Sequence, residues 1–476
     1  MGWRSLPNQV TDVTVDAAPT GERLETWRHA LGHGGVNWLP LPARVVDGVR
    51  RLGPRLIRIF IQEFFQVYRG SGRFDWSRLD PYMDALAATG AKVVAAITIK
   101  PRALYPDIDQ ARWRPNNVGE WQHVIAELAR RYSVQRPIVT HWEIGNEPDI
   151  GENGGCPYLI TDPEEYGEYY AMTVRPILEV FPEARVGGPA LASVHHELLP
   201  GLVDYCGRTG TQLDFVSWHR YSDSPGDHAE CVRLARRVLD GFPGRRPELM
   251  VTEWSCSLGG KVSVEERACD PRRAAITAAA IMDMMDAGLD WSFYYHIWDQ
   301  TCFHDDFAPF FSQKGVALMT RHWNEMPHRL GLFGVDGQVR PQYFVYRMLS
   351  QLGEEKLAVD SPPALRVLAG LDNGRVGVVI VNHGAEEAAD RVANLRFCNL
   401  SPGVRSLAIE RIDGDRRWRA DRLELERVER RDVSVAGEFS CQVLVPADSV
   451  AAVWLAPTPD PRRQPQASAP VPGSPA

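Results

Sequence analysis

The 476-residue chain is too long for one small module; at about 150 residues per domain it holds two to four domains, or one large barrel with an accessory domain. Its 44% apolar content and 14 tryptophans exclude wholesale disorder and provide for a packed core and an aromatic-lined site. The net charge of -8 is carried with dispersed basic residues, which excludes the basic patch that phosphate neutralisation requires, so no nucleic-acid partner is expected.

Residues 1–10 lack the basic stretch and apolar run of a secretory signal, and nowhere do about 18 apolar residues run together. The expectation is a soluble, cytoplasmic protein with no membrane partner. Eight scattered cysteines form no CxxC pair, and are read as buried or idle thiols rather than as zinc ligands or disulfides.

In chain order, residues 10–15 alternate and are a candidate strand of a later β domain. A weak strand is expected around residues 32–37. A helix follows with Leu41, Val45, Val49 and Leu52 on one face, then the strand 56–61, an apolar run interrupted only by Arg58, as a strand buried on both faces would be. A helix with Leu79, Met83 and Leu86 precedes the strand 93–99. A helix with Trp121, Ile125, Leu128 and Tyr132 precedes the strand 139–144. Further strands are expected at 186–188, 214–218, 249–252 and 291–295. Eight such units in about 250 residues have the size of a (β/α)8 barrel, with an open doubly wound sheet as the alternative.

After about residue 350 the pattern becomes short strands between turns, at 366–368, 376–381, 406–412 and 442–453, which reads as an antiparallel β-sandwich. The expected organisation is an N-terminal segment 1–30, contributing a strand to the sandwich, a barrel 31–350, a sandwich 351–456 and a Pro-rich disordered tail 457–476.

In a parallel barrel the functional groups sit just past the C-terminal ends of the strands. Asn146 and Glu147 end the fourth expected strand and Glu253 the seventh; the 106 residues between the glutamates are three to three and a half units of about 31 residues. Two carboxylates at one mouth suit glycosidic bond cleavage, where one protonates the leaving oxygen and the other attacks the anomeric carbon or activates water. Pro148 is expected to hold Glu147 extended and aim it into the mouth. Arg58 is expected either beside the nucleophile, keeping it ionised, or in an ion pair with another barrel carboxylate.

Other motifs are weak. Gly32-His33-Gly34-Gly35 lacks the final glycine of a dinucleotide loop, His195-His196-Glu197 lacks HExxH spacing, and no GxSxG elbow is present. No cofactor and no catalytic metal are expected.

Asn146-Glu147-Pro148 and Thr252-Glu253-Trp254 resemble the two catalytic signatures of the clan of retaining (β/α)8 glycosidases. Gly70 to Trp76, Ala129 to Tyr132, Val186 to Pro189, Asp214 to His219 and Gly337 to Tyr346 make the chain similar to glycoside hydrolase family 39, which includes β-xylosidases and α-L-iduronidases. The resemblance implies Glu147 as general acid/base, Glu253 as nucleophile, Asn146 on the sugar 2-hydroxyl, and Arg58, His219 and Tyr221 around the nucleophile. His296 and Trp298 on the eighth strand are further substrate-binding candidates, with Trp298 as the platform for a sugar face. His296 and Asp299 depart from the family's usual pattern, and the segment 149–156 is Gly-rich in a way not typical of the β-xylosidases. The implied activity is an exo-acting retaining hydrolase on a neutral sugar, β-xyloside first, with a uronidase, another retaining β-glycosidase, or a non-catalytic carbohydrate-binding barrel as alternatives.

Overall fold

The computed structural model of the protein describes residues 9–258, 264–384, 389–415 and 417–458; the expected disordered tail lies, from residue 459 onward, outside them. Strand β1 (Val10–Arg23) is followed by eight parallel strands: β2 (His29–Gly32), β3 (Leu56–Gln62), β4 (Lys92–Thr98), β5 (Val139–Ile144), β6 (Arg185–Leu191), β7 (Phe215–Tyr221), β8 (Glu248–Ser255) and β9 (Trp291–Tyr295). These close into a barrel in sequence order. Helices α1 (Ala43–Leu52), α2 (Leu79–Ala87), α3 (Val118–Ala129), α4 (Pro163–Val180), α5 (Leu198–Thr209), α6 (Pro225–Val238), α7 (Val264–Ala268) and α8 (Pro271–Asp286) form the crossovers, and α9 (His304–Phe307), α10 (Gln313–Thr320) and α11 (Pro341–Ser350) follow β9.

Period two explains the filling of the barrel. On β3, Ile57, Ile59 and Ile61 pack outward against the helices, while Leu56, Arg58 and Phe60 point inward. At the N-terminal end Leu56 meets Ala30, Val94, Phe215, Met250 and Phe293, an apolar plug that closes the floor. Apart from His141, whose ring lies 6.2 Å from Phe215 beside this plug, the inward polar residues named below sit in the upper layers, towards the C-terminal ends of the strands.

The first barrel strand starts earlier than expected, at His29 rather than residue 32. Gly34 and Gly35 have φ of 94° and 84°, left-handed values that take the chain out of the sheet just where the strand was expected to run.

The C-terminal residues form β10 (Glu355–Asp360), β11 (Arg366–Asp372), β12 (Arg375–Asn382), β13 (Arg391–Cys398), β14 (Gly403–Ile412), β15 (Arg427–Val435), β16 (Phe439–Val445) and β17 (Ser449–Pro457). With β1 they make a nine-stranded sheet, ordered β15-β14-β17-β12-β11-β10-β1-β13-β16, which folds over so that Val13, Val378, Leu395, Val443 and Val453 share one core. The sheet is not wholly antiparallel, because β1 pairs with β13 in parallel. The expected strand 442–453 is two strands broken at Pro446–Asp448, where Asp448 has a φ of 51°. Strands β10 and β15 escaped the sequence reading because most of their residues are exposed or half-buried.

The other face of this sheet covers the barrel. Val379, Val381, Ala452 and Trp454 alternate with the sandwich core residues and belong to the core of the barrel helices, with α8 packed beneath β12 and β17.

Candidate active site

The carboxylates arrive at the mouth by two local devices. Glu147 follows β5 by three residues and has a φ of 46°, so it is left-handed and not extended as Pro148 was expected to make it. Its N–H donates to the Ala190 carbonyl at 2.7 Å, and its own carbonyl accepts from Ile150 and Gly151 at 3.1 and 2.9 Å. These bonds outweigh the bias that the following proline imposes.

Glu253 depends on a bulge. Leu249 and Val251 face outward, and strict alternation would put Glu253 outward as well. Thr252 is skipped in the pairing with β7, where Trp218 pairs with Val251 and His219 with Glu253, and the ladder to β9 jumps from Val251 to Trp254. The extra residue reverses the phase, sending Trp254 into the helix layer and Glu253 into the mouth.

Around the pair, the residues singled out in the sequence converge in part. Arg58, wholly buried, donates to Glu143 at 2.8 Å, to Glu253 at 3.1 Å and to the Asn146 carboxamide oxygen at 2.7 Å. Arg58 is therefore paired with Glu253 and with the barrel carboxylate Glu143 at once. Tyr221 donates its hydroxyl to Glu253. His219 lies 2.9 Å from Glu147 Oε1 and 4.0 Å from Glu253 Oε2, so its bond is to the first glutamate and not to the second.

The two glutamates are electrostatically unequal. Burial pushes Glu147 well above the usual carboxyl range, and the Glu253 and Asp149 charges push it further. Burial raises Glu253 too, but Arg58 and the Tyr221 hydroxyl pull it back. Of the two, Glu147 is the carboxyl pushed further towards its protonated form. Burial and the Arg58 charge hold His219 well below its ordinary value, so its imidazole is neutral at pH 7.

Glu147, His219 and Glu253 place three donor atoms within 4.8 Å of one another, the only such group among the described residues. Each already has a hydrogen-bond partner, and a guanidinium stands 3.1 Å from Glu253. A buried carboxylate pair of unequal proton affinity beside a fixed cation is suited to acid/base and nucleophilic chemistry.

The cleft above the pair has a volume of about 280 Å³. Phe60, Tyr295 and Trp323 give it aromatic walls, and Ile150, Met319 and Leu330 an apolar lip. Two roomier hollows, of about 530 and 320 Å³, lie around His29 at the opposite end of the barrel, along seams between the barrel and its neighbouring segments.

Trp298 and His296 do not line this cleft. The Trp298 indole N–H donates to the Val335 carbonyl at 3.0 Å and its ring lies in the helix-layer core. It sits past the end of β9, so strand alternation no longer directs it. His296 is fully buried, stacks on Tyr295 with ring centroids 4.4 Å apart, and lies 3.1 Å from Asp299. Burial works against the Asp299 charge, but Arg340 and His296 outweigh it and hold the carboxylate well below the usual range. The aromatic face that the sequence assigned to Trp298 is instead offered by Tyr295, which shares its parity with the inward Trp291 and Phe293, and by Trp323, from the turn Arg321–Glu325. The parity was legible in the sequence. Trp323 carried no signal there.

The family profile described as Glycosyl hydrolases family 39 matches residues 15–419. The chain belongs to this family. As a family 39 glycoside hydrolase it acts on carbohydrate. It is 26% identical, over 368 residues covering 71% of this chain and 70% of the other, to a β-xylosidase of Caldicellulosiruptor saccharolyticus. Its fold is similar to a GH39 enzyme from Xanthomonas axonopodis pv. citri, with a TM-score of 0.74 at 19% identity over 96% and 98% of the two chains. It is equally similar, with a TM-score of 0.74 at 20% identity over 94% and 99%, to a monomeric β-xylosidase from Caulobacter crescentus CB15. Among the described residues no helix is long and apolar enough to cross a membrane, and all eight cysteines are free.

Proposed function

We propose that this family 39 member is a retaining, exo-acting glycosidase for a neutral sugar, with β-xylosides preferred. The observation that carries the reading is the arrangement of an Arg58-held Glu253 opposite Glu147, whose carboxyl burial raises, with one oxygen of each within 4.8 Å of the other. Retaining enzymes hold their carboxyls about 5–5.5 Å apart, whereas inverting ones need about 6.5–9.5 Å to seat a water between them. In the first step Glu253 attacks the anomeric carbon while Glu147 gives its proton to the departing oxygen. In the second, Glu147 takes a proton from water, which displaces Glu253 from the sugar.

Asn146 has its carbonyl oxygen fixed by Arg58 and one amide N–H directed to the Gly154 carbonyl at 3.3 Å. Its second N–H suits the sugar 2-hydroxyl. As carbon–oxygen cleavage proceeds, that contact strengthens with the developing oxocarbenium charge.

The preference for a neutral sugar follows from the charges. Among the described residues, no lysine or arginine lines the cleft. Arg58 is spent on three partners, Lys100 on the Asp109 and Pro157 carbonyls, and Arg220 on Asp227. His322 and His328, on the cleft wall, are both lowered by burial, His328 to about 4, and are neutral at pH 7. A desolvated sugar carboxylate would find no cation among the described residues of the cleft, and leaving it unpaired would cost several kcal/mol.

A panel of 4-nitrophenyl xylosides, arabinosides, glucosides, galactosides and uronides, with the anomer released followed by proton NMR, tests the reading. The expected result is a β-xyloside rate at least tenfold above the uronide, about 1.4 kcal/mol of transition-state preference, and a first-formed β-sugar. A faster uronide, or a first-formed product of inverted configuration, would overturn it.

A further inference from the structure

The packing of the Gly-rich turn after Glu147 gives one of its glycines a purpose. A Cβ added to Gly154 would lie 1.8 Å from Glu147 Oε2 and 2.8 Å from both Glu147 Cβ and Cδ. The carboxyl group thus occupies the volume that a side chain at position 154 would need. Swinging the carboxyl aside would not relieve the contact with Cβ, which is rooted in the backbone.

Neither backbone is free to yield. Glu147 is held by the three main-chain bonds described above. On the other side, the Gly154 carbonyl accepts from Asn146 at 3.3 Å and the Gly155 carbonyl from Gln62 Nε2 at 2.9 Å. Between them, the Glu152 N–H donates to Gln110 at 2.9 Å, and the buried Glu152 carboxylate accepts from the Ser312 N–H at 2.7 Å and from its hydroxyl. Ser312 is the N-cap of α10, the helix that carries Met319 to the cleft lip. The turn is thereby fastened to both walls of the cleft.

The need for glycine at 154 is spatial. Gly151 and Gly155 have φ of 59° and 74° and serve the backbone, whereas Gly154 is outside the left-handed region and would accept alanine if there were room.

We propose that Gly154 is a positioning residue for the acid/base: its missing side chain is the seat of the Glu147 carboxyl group and sets its aim at the leaving oxygen. The inference rests on the reading of Glu147 as acid/base. It predicts that Gly154→Ala acts through Glu147, so that its effect vanishes when the Glu147 side chain, Cβ included, is removed.

The experiment compares Gly154→Ala, Glu147→Gly and the double variant on a 4-methylphenyl and a 2,4-dinitrophenyl glycoside, with melting midpoints for all. Glycine at 147 removes the Cβ as well as the carboxyl and suits the φ of 46° there. Glu147→Gly should retain glycosylation by the dinitrophenyl substrate, with a burst, and lose the methylphenyl one. Gly154→Ala should lower kcat/KM for the methylphenyl glycoside on the order of 100-fold, the scale of a general-acid contribution, and lower its midpoint, while sparing the dinitrophenyl substrate. The double variant should match Glu147→Gly in both rate and midpoint. Additive losses, or a Gly154→Ala enzyme equal to wild type on both substrates, would overturn the inference. Should Gly154→Ala alone fail to fold, recovery of the fold in the double variant supports the seat, and failure of both overturns it. Loss of the leaving-group difference in Glu147→Gly would instead strike the acid/base reading, leaving the midpoint comparison to judge the seat.

Discussion

Arg58 and Glu143 meet at 2.8 Å inside the barrel with neither side chain exposed, and the same guanidinium holds Glu253 at 3.1 Å. The cation is thus divided between a carboxylate that supports the barrel and one that faces the cleft. Removing one partner from such a buried pair typically costs about 3–5 kcal/mol because it leaves the other charge uncompensated. Arg58 would keep Glu253, so the cost for Glu143→Gln belongs at the lower end.

The functional consequence has a definite sign. The Glu143 charge raises the proton affinity of Glu253, so neutralising it lets Glu253 ionise more readily. Glu143→Gln should move the acidic limb of the kcat/KM profile to lower pH while lowering the melting midpoint. A limb displaced to higher pH would contradict this account of the site.

On the proposed mechanism Glu253 forms the covalent bond to the sugar, so with Glu253→Ala turnover should vanish on every substrate. Azide is small enough to enter the vacated space, and with an activated glycoside it should restore part of the rate and yield a glycosyl azide of inverted configuration. Product analysis by NMR checks this, and substantial turnover without azide would remove Glu253 from the mechanism.

Glu63 lies outside the carboxylate pair and makes a pH-dependent contribution to stability. Burial raises its carboxyl to about 8, against the Lys100 N–H that donates to it at 3.1 Å and the charge of Arg69. The native state therefore keeps a proton that the unfolded chain releases at about 4.5. Stability from this group is complete below pH 4.5 and is lost as pH rises towards 8, at up to about 1.4 kcal/mol per unit. Glu63→Gln cannot ionise. Its melting midpoint should match wild type near pH 4.5 and exceed it increasingly towards pH 8, and a constant difference across that range would refute the assignment.

Much of the fold was legible because its determinants are local. The continuous apolar runs at β3, β4 and β5, the helical faces between them, and Asn146-Glu147-Pro148 at a strand end are features of a few neighbouring residues. Period two alone sends Leu56, Arg58 and Phe60 to one face of β3, and Phe215, His219 and Tyr221 to one face of β7. The amino-acid sequence by itself therefore determined the barrel, its closing sheet and the polar residues that gather at one end.

The tertiary structure decided how those residues are aimed. Whether Thr252 bulges is a property of the register that β7 and β9 impose on β8, and that register turns Glu253 inward. The φ of Glu147 is set by Ala190, 43 residues further along the chain, and its seat by the bare backbone of Gly154. Trp298 is drawn into the core by the Val335 carbonyl, while Tyr295 and Trp323 take the cleft. Each of these choices is made by atoms far away in sequence and close in space. Alternation and propensity act between chain neighbours, so they fix which residues reach the mouth of the barrel; contacts between distant segments fix the direction each one faces.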